Sequence, residues 1–322
     1  MDHNSQITKN WADASPPLSK IGTSRGWIDA VEWPTVSLCG IIYLGWMGVT
    51  VWHEPVPGWA LFLLGGLVTA WHASFQHEAT HGHPTRSPRL NAVLAGPALL
   101  LWLPFGMFRR DHLRHHAVDV LTDPLDDPES FYVLESTWRR MNQIRRALLM
   151  MNNTLAGRML IGPILVVGGL AWRQSWLLCR GDRQAIRDWL LHLPWLVLVL
   201  GWLVLVAEIP IWLYVLCFSY PGTALLLLRS YIEHRPHTRQ ATRTVIVEAG
   251  PLLSLLFLNN NLHALHHSRP ALPWYRLPAA YHHQRAHVLA ENGGFRFAGY
   301  GEIARRFLFR AKDHPMHPTR WN

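Results

Sequence analysis

Two long stretches of this chain carry no lysine or arginine, from Arg25 to Arg86 and from Arg187 to Arg229. Each contains two apolar runs: Val36 to Trp52 and Trp59 to Phe75 in the first, Trp189 to Ala207 and Ile209 to Leu228 in the second. Runs near 20 apolar residues are long enough to cross a bilayer as helices, and lipid forces a backbone to bond to itself. The turns hold Glu54, Pro55 and Pro57 in one pair and Glu208 and Pro210 in the other, short enough to make each pair a tight hairpin. The expected fold is an all-α membrane protein with four transmembrane helices in two hairpins. With 49% hydrophobic and only 16% charged residues among 322, the alternative of buried helices in a soluble core is weak.

The charge pattern also sets orientation. Both hairpin tips lack positive charge and every Lys and Arg lies on the other side, which the positive-inside rule makes cytoplasmic. Residues 1–30 begin polar and show no short apolar signal core, so they are expected to form a cytoplasmic tail of a single domain spanning 1–322. The net charge of +9 does not point to nucleic acid. Its arginines, among them Arg109, Arg110, Arg139, Arg140, Arg145 and Arg146, flank apolar segments, where anionic headgroups are the better partner. Cys39, Cys179 and Cys217 are scattered and suggest neither a disulfide framework nor an iron–sulfur cluster. No internal repeat or low-complexity tract occurs.

Eight histidines fall into three tight clusters beside the apolar runs: His77 and His81; His112, His115 and His116; His263, His266 and His267. Residues three or four apart share a helix face, so His77 and His81 can serve one ion, and His112 can pair with either His115 or His116. Adjacent histidines diverge, which suits two ions. Eight ligands exceed the four of a closed zinc site and fit two iron ions with open positions for oxygen, although imidazole also suits zinc and copper. The isolated His3, His53, His192, His314 and His317 read as solvated or satisfied side chains. His83 and His237 adjoin prolines and read as loop residues, and His282 and His283 as structural.

A shared metal centre requires all three clusters on one side of the membrane. Asn91 to Phe108 is long enough to cross, but one crossing would separate His112 from His77. Gly96, Pro97, Pro104 and Gly106 within it break or bend helices, so a re-entrant or surface-lying hairpin is expected. Leu155 to Trp172, interrupted by Arg158, Gly162 and Pro163, is expected as an interfacial helix.

The boxes HEATH at 77–81, HLRHH at 112–116 and HALHH at 263–267, ordered around two apolar hairpins, resemble the integral-membrane fatty acid desaturase and hydroxylase superfamily. The resemblance implies four spans capped by a cytoplasmic histidine-rich domain that holds two irons (Fe2+/Fe3+), with interfacial or re-entrant helices. It also implies a ninth ligand, His234, at the end of the fourth span in a segment similar to the alkane hydroxylase branch. Asn259 is then either an amide beside the metal or part of a turn. Glu78, Asp111, Asp119, Asp123 and Glu233 are candidates to accept the second ring N–H of a ligating histidine.

Such a site implies a membrane-bound, dioxygen-dependent oxidoreductase that desaturates an aliphatic, fatty acyl substrate. Electrons would come from a separate ferredoxin and its reductase docking on cytoplasmic arginines. The same boxes would serve a hydroxylase or ketolase of a lipid, alkane or carotenoid, or a desaturase of a small metabolite. A bacterial inner membrane is the expected location. A metal transporter would need ionisable groups in mid-span, and the runs offer little beyond His192 near one end.

Overall fold

The computed structural model describes residues 31–318; the expected tail at 1–30, with His3, lies outside them. Seven helices position the site: α1 (Trp33–Val51), α2 (Gly58–Thr80), α3 (Pro88–Ala95), α4 (Phe105–Ala117), α5 (Gly162–Cys179), α6 (Arg183–Leu205) and α7 (Ile211–Ser230). Of these, α1, α2, α6 and α7 are long and apolar enough to cross a membrane, and they coincide with the four apolar runs. The helices outlast the runs where the sequence supplies reasons. Asp182 caps α6 by accepting from Ala185 N at 2.8 Å, which starts that helix six residues before Trp189. Helix α2 continues past Phe75 and carries the first histidine box on its last turn.

Close approach of α2 and α7 depends on small residues. A Cβ on Gly65 would lie 2.4 Å from the Cys217 carbonyl oxygen, and one on Gly222 would lie 2.1 Å from Thr69 Oγ1. Thr69 Oγ1 in turn donates to Phe218 O at 2.9 Å. This is the small-residue packing by which apolar helices gain contact when no hydrophobic force drives them together. A π-helical turn at Val215–Ser219 widens α7 just before Pro221, which has no N–H to donate into a regular ladder.

Asn91 to Phe108 does not form a continuous helix. It comprises the end of α3, an irregular segment at 96–104 with Leu101 at φ +70°, and the start of α4. Side chains from all four long helices satisfy the carbonyls around that segment. Tyr43 Oη of α1 donates to Leu94 O at 2.6 Å, Gln76 Nε2 of α2 to Ala95 O at 2.8 Å, and Tyr214 Oη of α7 to Leu99 O at 2.7 Å. His192 Nε2 of α6 lies 3.0 Å from Leu101 O. Irregular backbone among apolar helices is tolerated where protein groups meet its polar atoms in this way.

Leu155 to Trp172 likewise divides, at Ile161, into a short helix Leu155–Leu160 and α5; Pro163 sits at the start of the second, where its missing N–H costs nothing. Helix α5 runs beyond the expected end to Cys179 and leaves Ile164 and Trp172 exposed. Beyond α7, residues 231–318 pack a second core around Tyr231, Phe257 and Tyr300. Here lie α8 (His263–Ser268), α9 (Leu277–Glu291) and two short parallel strands, Ile246–Val247 and Arg296–Phe297.

Candidate metal centre

Four pieces of chain converge at one place. Helix α2 brings His77 and His81, α4 brings His112, His115 and His116 on its last turns, and α8 brings His263, His266 and His267. His234 follows the end of α7 and is fixed by a backbone bridge to Thr244. The nine imidazoles divide into two groups, His77, His81, His112, His116 and His266 in one, His115, His234, His263 and His267 in the other. The ligand atoms in each group lie within 4.8 Å of one another. Adjacent residues part company as helix geometry demands: His115 and His116 face different groups, as do His266 and His267. The rings of His116 and His267 stack at 4.1 Å, so the groups share a wall.

The spacings fit metal coordination. His81 Nε2 and His116 Nε2 lie 3.0 and 3.1 Å from His112 Nε2, and His116 Nε2 lies 3.2 Å from His266 Nε2. In the other group His115 Nε2 and His263 Nε2 each lie 3.0 Å from His234 Nε2. Two nitrogens bound at about 2.1 Å to one ion, 90° apart, are separated by about 3.0 Å.

Oxygen acceptors behind the rings decide which nitrogens face inward as lone pairs. His112 Nδ1 is 2.8 Å from Glu129 Oε1, His115 Nδ1 is 2.7 Å from Asp127 Oδ1, and His263 Nδ1 is 3.1 Å from Asn260 Oδ1. An ionised carboxylate only accepts, so the ring proton sits on Nδ1 and Nε2 turns a lone pair toward the cluster. Once His115 gives up the second proton that its carboxylates otherwise retain, it and His263 both aim lone pairs at His234 Nε2, and one N–H there would satisfy only one of them. A cation satisfies all three. His77 Nε2 and His267 Nε2 are also buried without a hydrogen-bond partner.

Electrostatics favour the same occupant. Burial pulls the His115 imidazolium down, but the carboxylates of Glu129, Asp127 and Glu233 outweigh it and hold the group up at about 9, so positive charge is stabilised at this spot. Burial and neighbouring imidazoles push His81 down to about 2 and His116 down to about 3. They push His234, His263, His266 and His267 well below the ordinary value. These rings stay neutral at physiological pH and keep their lone pairs available to a metal.

The expected second-ring partners are only partly those found. Glu78 lies 3.9 Å from His77 Nδ1, and Glu233 lies 3.7 Å from His263 Nδ1. Asp111 pairs instead with Arg110 and Arg173, Asp119 receives Gln240, and Asp123 caps the following turn through Leu125 N. That turn folds the chain back over α4, so the working partners are Asp127 and Glu129 from the run Asp126-Asp127-Pro128-Glu129. A cluster of acids and prolines shortly after a box was the available signal. Asn259 sits in a turn at φ +57° and donates to Trp274 O at 2.9 Å; the amide that meets the third box is its neighbour Asn260.

Histidines outside the boxes have other partners. His83 bonds Glu32 at 2.7 Å, His237 bonds Thr242 at 2.6 Å, and His282 and His283 are exposed. The apolar runs hold a second histidine besides His192. It is His72, buried in α2 with its Nε2 3.1 Å from Tyr43 Oη.

A cavity of about 260 Å³ adjoins the centre, with His234, Asp127 and Glu129 in its wall. Trp102 and Phe108, with Val166 of α5 and Leu226 of α7, supply apolar surface.

Paired imidazole groups set against four apolar helices define a candidate metal-dependent membrane enzyme. The model of the fatty acid desaturase family matches residues 54–300, and the chain belongs to that family. Membership makes it an oxidoreductase of the desaturase and hydroxylase class. No curated protein matches the chain closely enough to count as a relative.

Proposed function

We propose that the chain is a dioxygen-dependent di-iron desaturase of an aliphatic acyl substrate, with His77, His81, His112, His116 and His266 holding one iron and His115, His234, His263 and His267 the other. The observation that carries this reading is the convergence of carboxylate-oriented imidazoles into two groups at ligand spacing. In this reading residues 1–322 form one domain, α1 with α2 and α6 with α7 form two membrane hairpins, and the histidine cap faces the cytoplasm. The asymmetry of Lys and Arg supports that orientation.

Two irons bound there would let dioxygen, with two further electrons from a separate ferredoxin-type carrier, act as the oxidant that takes two hydrogens from unactivated C–H bonds and ends as water. The chain's own part is placement. Asp127, Glu129 and Asn260 lock the ring orientations, so the site is organised before substrate arrives. The apolar wall from Trp102 to Leu226 excludes water and lays an aliphatic chain beside the centre, which removes most of the orientational cost of reaction.

The test is turnover of the purified protein with a reducing system under isotopically labelled dioxygen, read by mass spectrometry. Loss of two hydrogens without label is the expected result. Label in the product would replace desaturation by hydroxylation, and bound iron without oxygen consumption would defeat both.

A further inference from the structure

The end of the cavity nearest His234 is not apolar, and its cations keep N–H groups without an acceptor. Arg229 and Lys312 both line it. Arg229 is 8% exposed; its Nε lies 3.1 Å from Glu233 Oε1, while its Nη1 has no hydrogen-bond partner. The same Glu233 oxygen also accepts from Asn260 Nδ2 at 3.0 Å. The Lys312 ammonium forms no ion pair with a described carboxylate and lies 5.7 and 5.6 Å from the rings of Tyr132 and Tyr231. Behind them Arg158, 1% exposed, also has an Nη1 without a partner and packs 4.0 Å over Phe131, another wall residue.

The charges of Glu233, Glu129 and Asp313 act on these cations, but none of them accepts a hydrogen bond from Lys312 Nζ or Arg229 Nη1. Asp313 is taken up by Tyr132 Oη and by Asn153 Nδ2 at 2.9 Å, and Glu233 by Arg229 Nε and Asn260. Asp127 and Glu129 are held by His115 and His112, and Asp111 with Arg173, 3.5 Å apart, forms a separate pair in the wall. A buried guanidinium N–H without an acceptor is unfavourable unless something supplies one. A cavity built only for hydrocarbon would not carry such groups beside its reactive centre.

We propose that the substrate carries a carboxylate that docks between Arg229 and Lys312, leaving its aliphatic carbons against the apolar wall beside the histidine groups. This deepens the oxidative reading, on which it rests for calling the cavity a substrate site. A cavity of about 150 Å³ holds benzene, so by proportion 260 Å³ accommodates about ten heavy atoms, and its open side leaves room for a longer chain. Octanoate has that size, and its methyl ester differs chiefly in lacking the charge.

The experiment compares equilibrium binding of octanoate and methyl octanoate to the purified full chain in phosphatidylcholine nanodiscs, which contribute no anionic lipid. Octanoate is expected to bind at least tenfold more tightly than the ester, the range for a hydrogen bond to a charged group. Lys312→Met should lose that advantage while its affinity for the ester stays unchanged, which also shows that the variant is folded. Lys312→Arg should retain the advantage. Should Lys312→Met fail to fold, Arg229→Gln carries the same comparison. Equal affinities for acid and ester, no binding of octanoate, or full binding to a folded variant lacking the charge would each overturn the proposal. Octanoate that binds but is never oxidised would defeat the oxidase reading and leave the carboxylate site standing.

Discussion

His115 and Asp127 meet across a turn, Nδ1 to Oδ1 at 2.7 Å, with both side chains almost wholly buried. The other Asp127 oxygen accepts from Thr122 N at 2.8 Å, so one carboxylate anchors the turn and aims the ring together. Removing such a partner typically costs ten- to a hundredfold in metal affinity. Asp127→Asn keeps the shape and removes the charge. We expect iron affinity, measured by chelator competition, to fall by about tenfold or more; wild-type affinity in that variant would mean that the pairing does not tune the site.

The two groups predict separable losses. His116→Ala and His267→Ala each remove a ring from a different group. Each should lower bound iron by about one ion per chain and abolish turnover, as a two-iron site requires both ions. His83→Ala, whose ring bonds Glu32 outside both groups, should leave iron content unchanged by elemental analysis.

Contact between α2 and α7 gives a packing prediction. Gly222→Ala places a methyl group 2.1 Å from Thr69 Oγ1, and overpacking of this kind costs about 1–3 kcal/mol. The variant should melt at a lower temperature in detergent. Adding Thr69→Ser leaves the clashing oxygen in place and should not restore Tm, whereas adding Thr69→Ala removes it and should recover part of the loss.

Acid sensitivity should reside partly at Glu248. Partial burial pulls its carboxyl up, but bonds from Arg285 at 2.6 Å, Arg296 at 2.6 Å and Tyr281 at 2.7 Å outweigh burial and hold it down at about 2. A group held below its unfolded value of 4.5 stabilises the fold above pH 4.5 and loses that contribution as pH falls toward 2. Glu248→Gln should therefore melt below wild type at pH 7, with the difference shrinking between pH 4.5 and 2. A constant difference across that range would contradict the assignment.

The four long helices and the three boxes could be read directly from the sequence, because hydrocarbon thickness and helical spacing act locally. What decided the rest acts at long range. His112 shares a face with both His115 and His116, and it groups with His116 because α2 delivers His81 to that side while the chain after α7 delivers His234 to the other. Asp127 and Glu129 reach their rings only through a turn whose path depends on Asp123 and Thr122, so nearness in sequence favoured the wrong aspartates. At the third box, positive φ at Leu258 and Asn259 rotates the backbone and presents Asn260 instead of its neighbour.

The irregular stretch at 96–104 leads straight into the helix that supplies three of the nine rings. A tyrosine, a glutamine, a histidine and a second tyrosine hold its surroundings, one from each long helix. It works as a keystone: no long helix can slide past the others without tugging on the stem that carries the central box. The cage of imidazoles therefore inherits its rigidity from the apolar bundle beneath it, and a disturbance of that bundle would be felt at the chemistry several turns away.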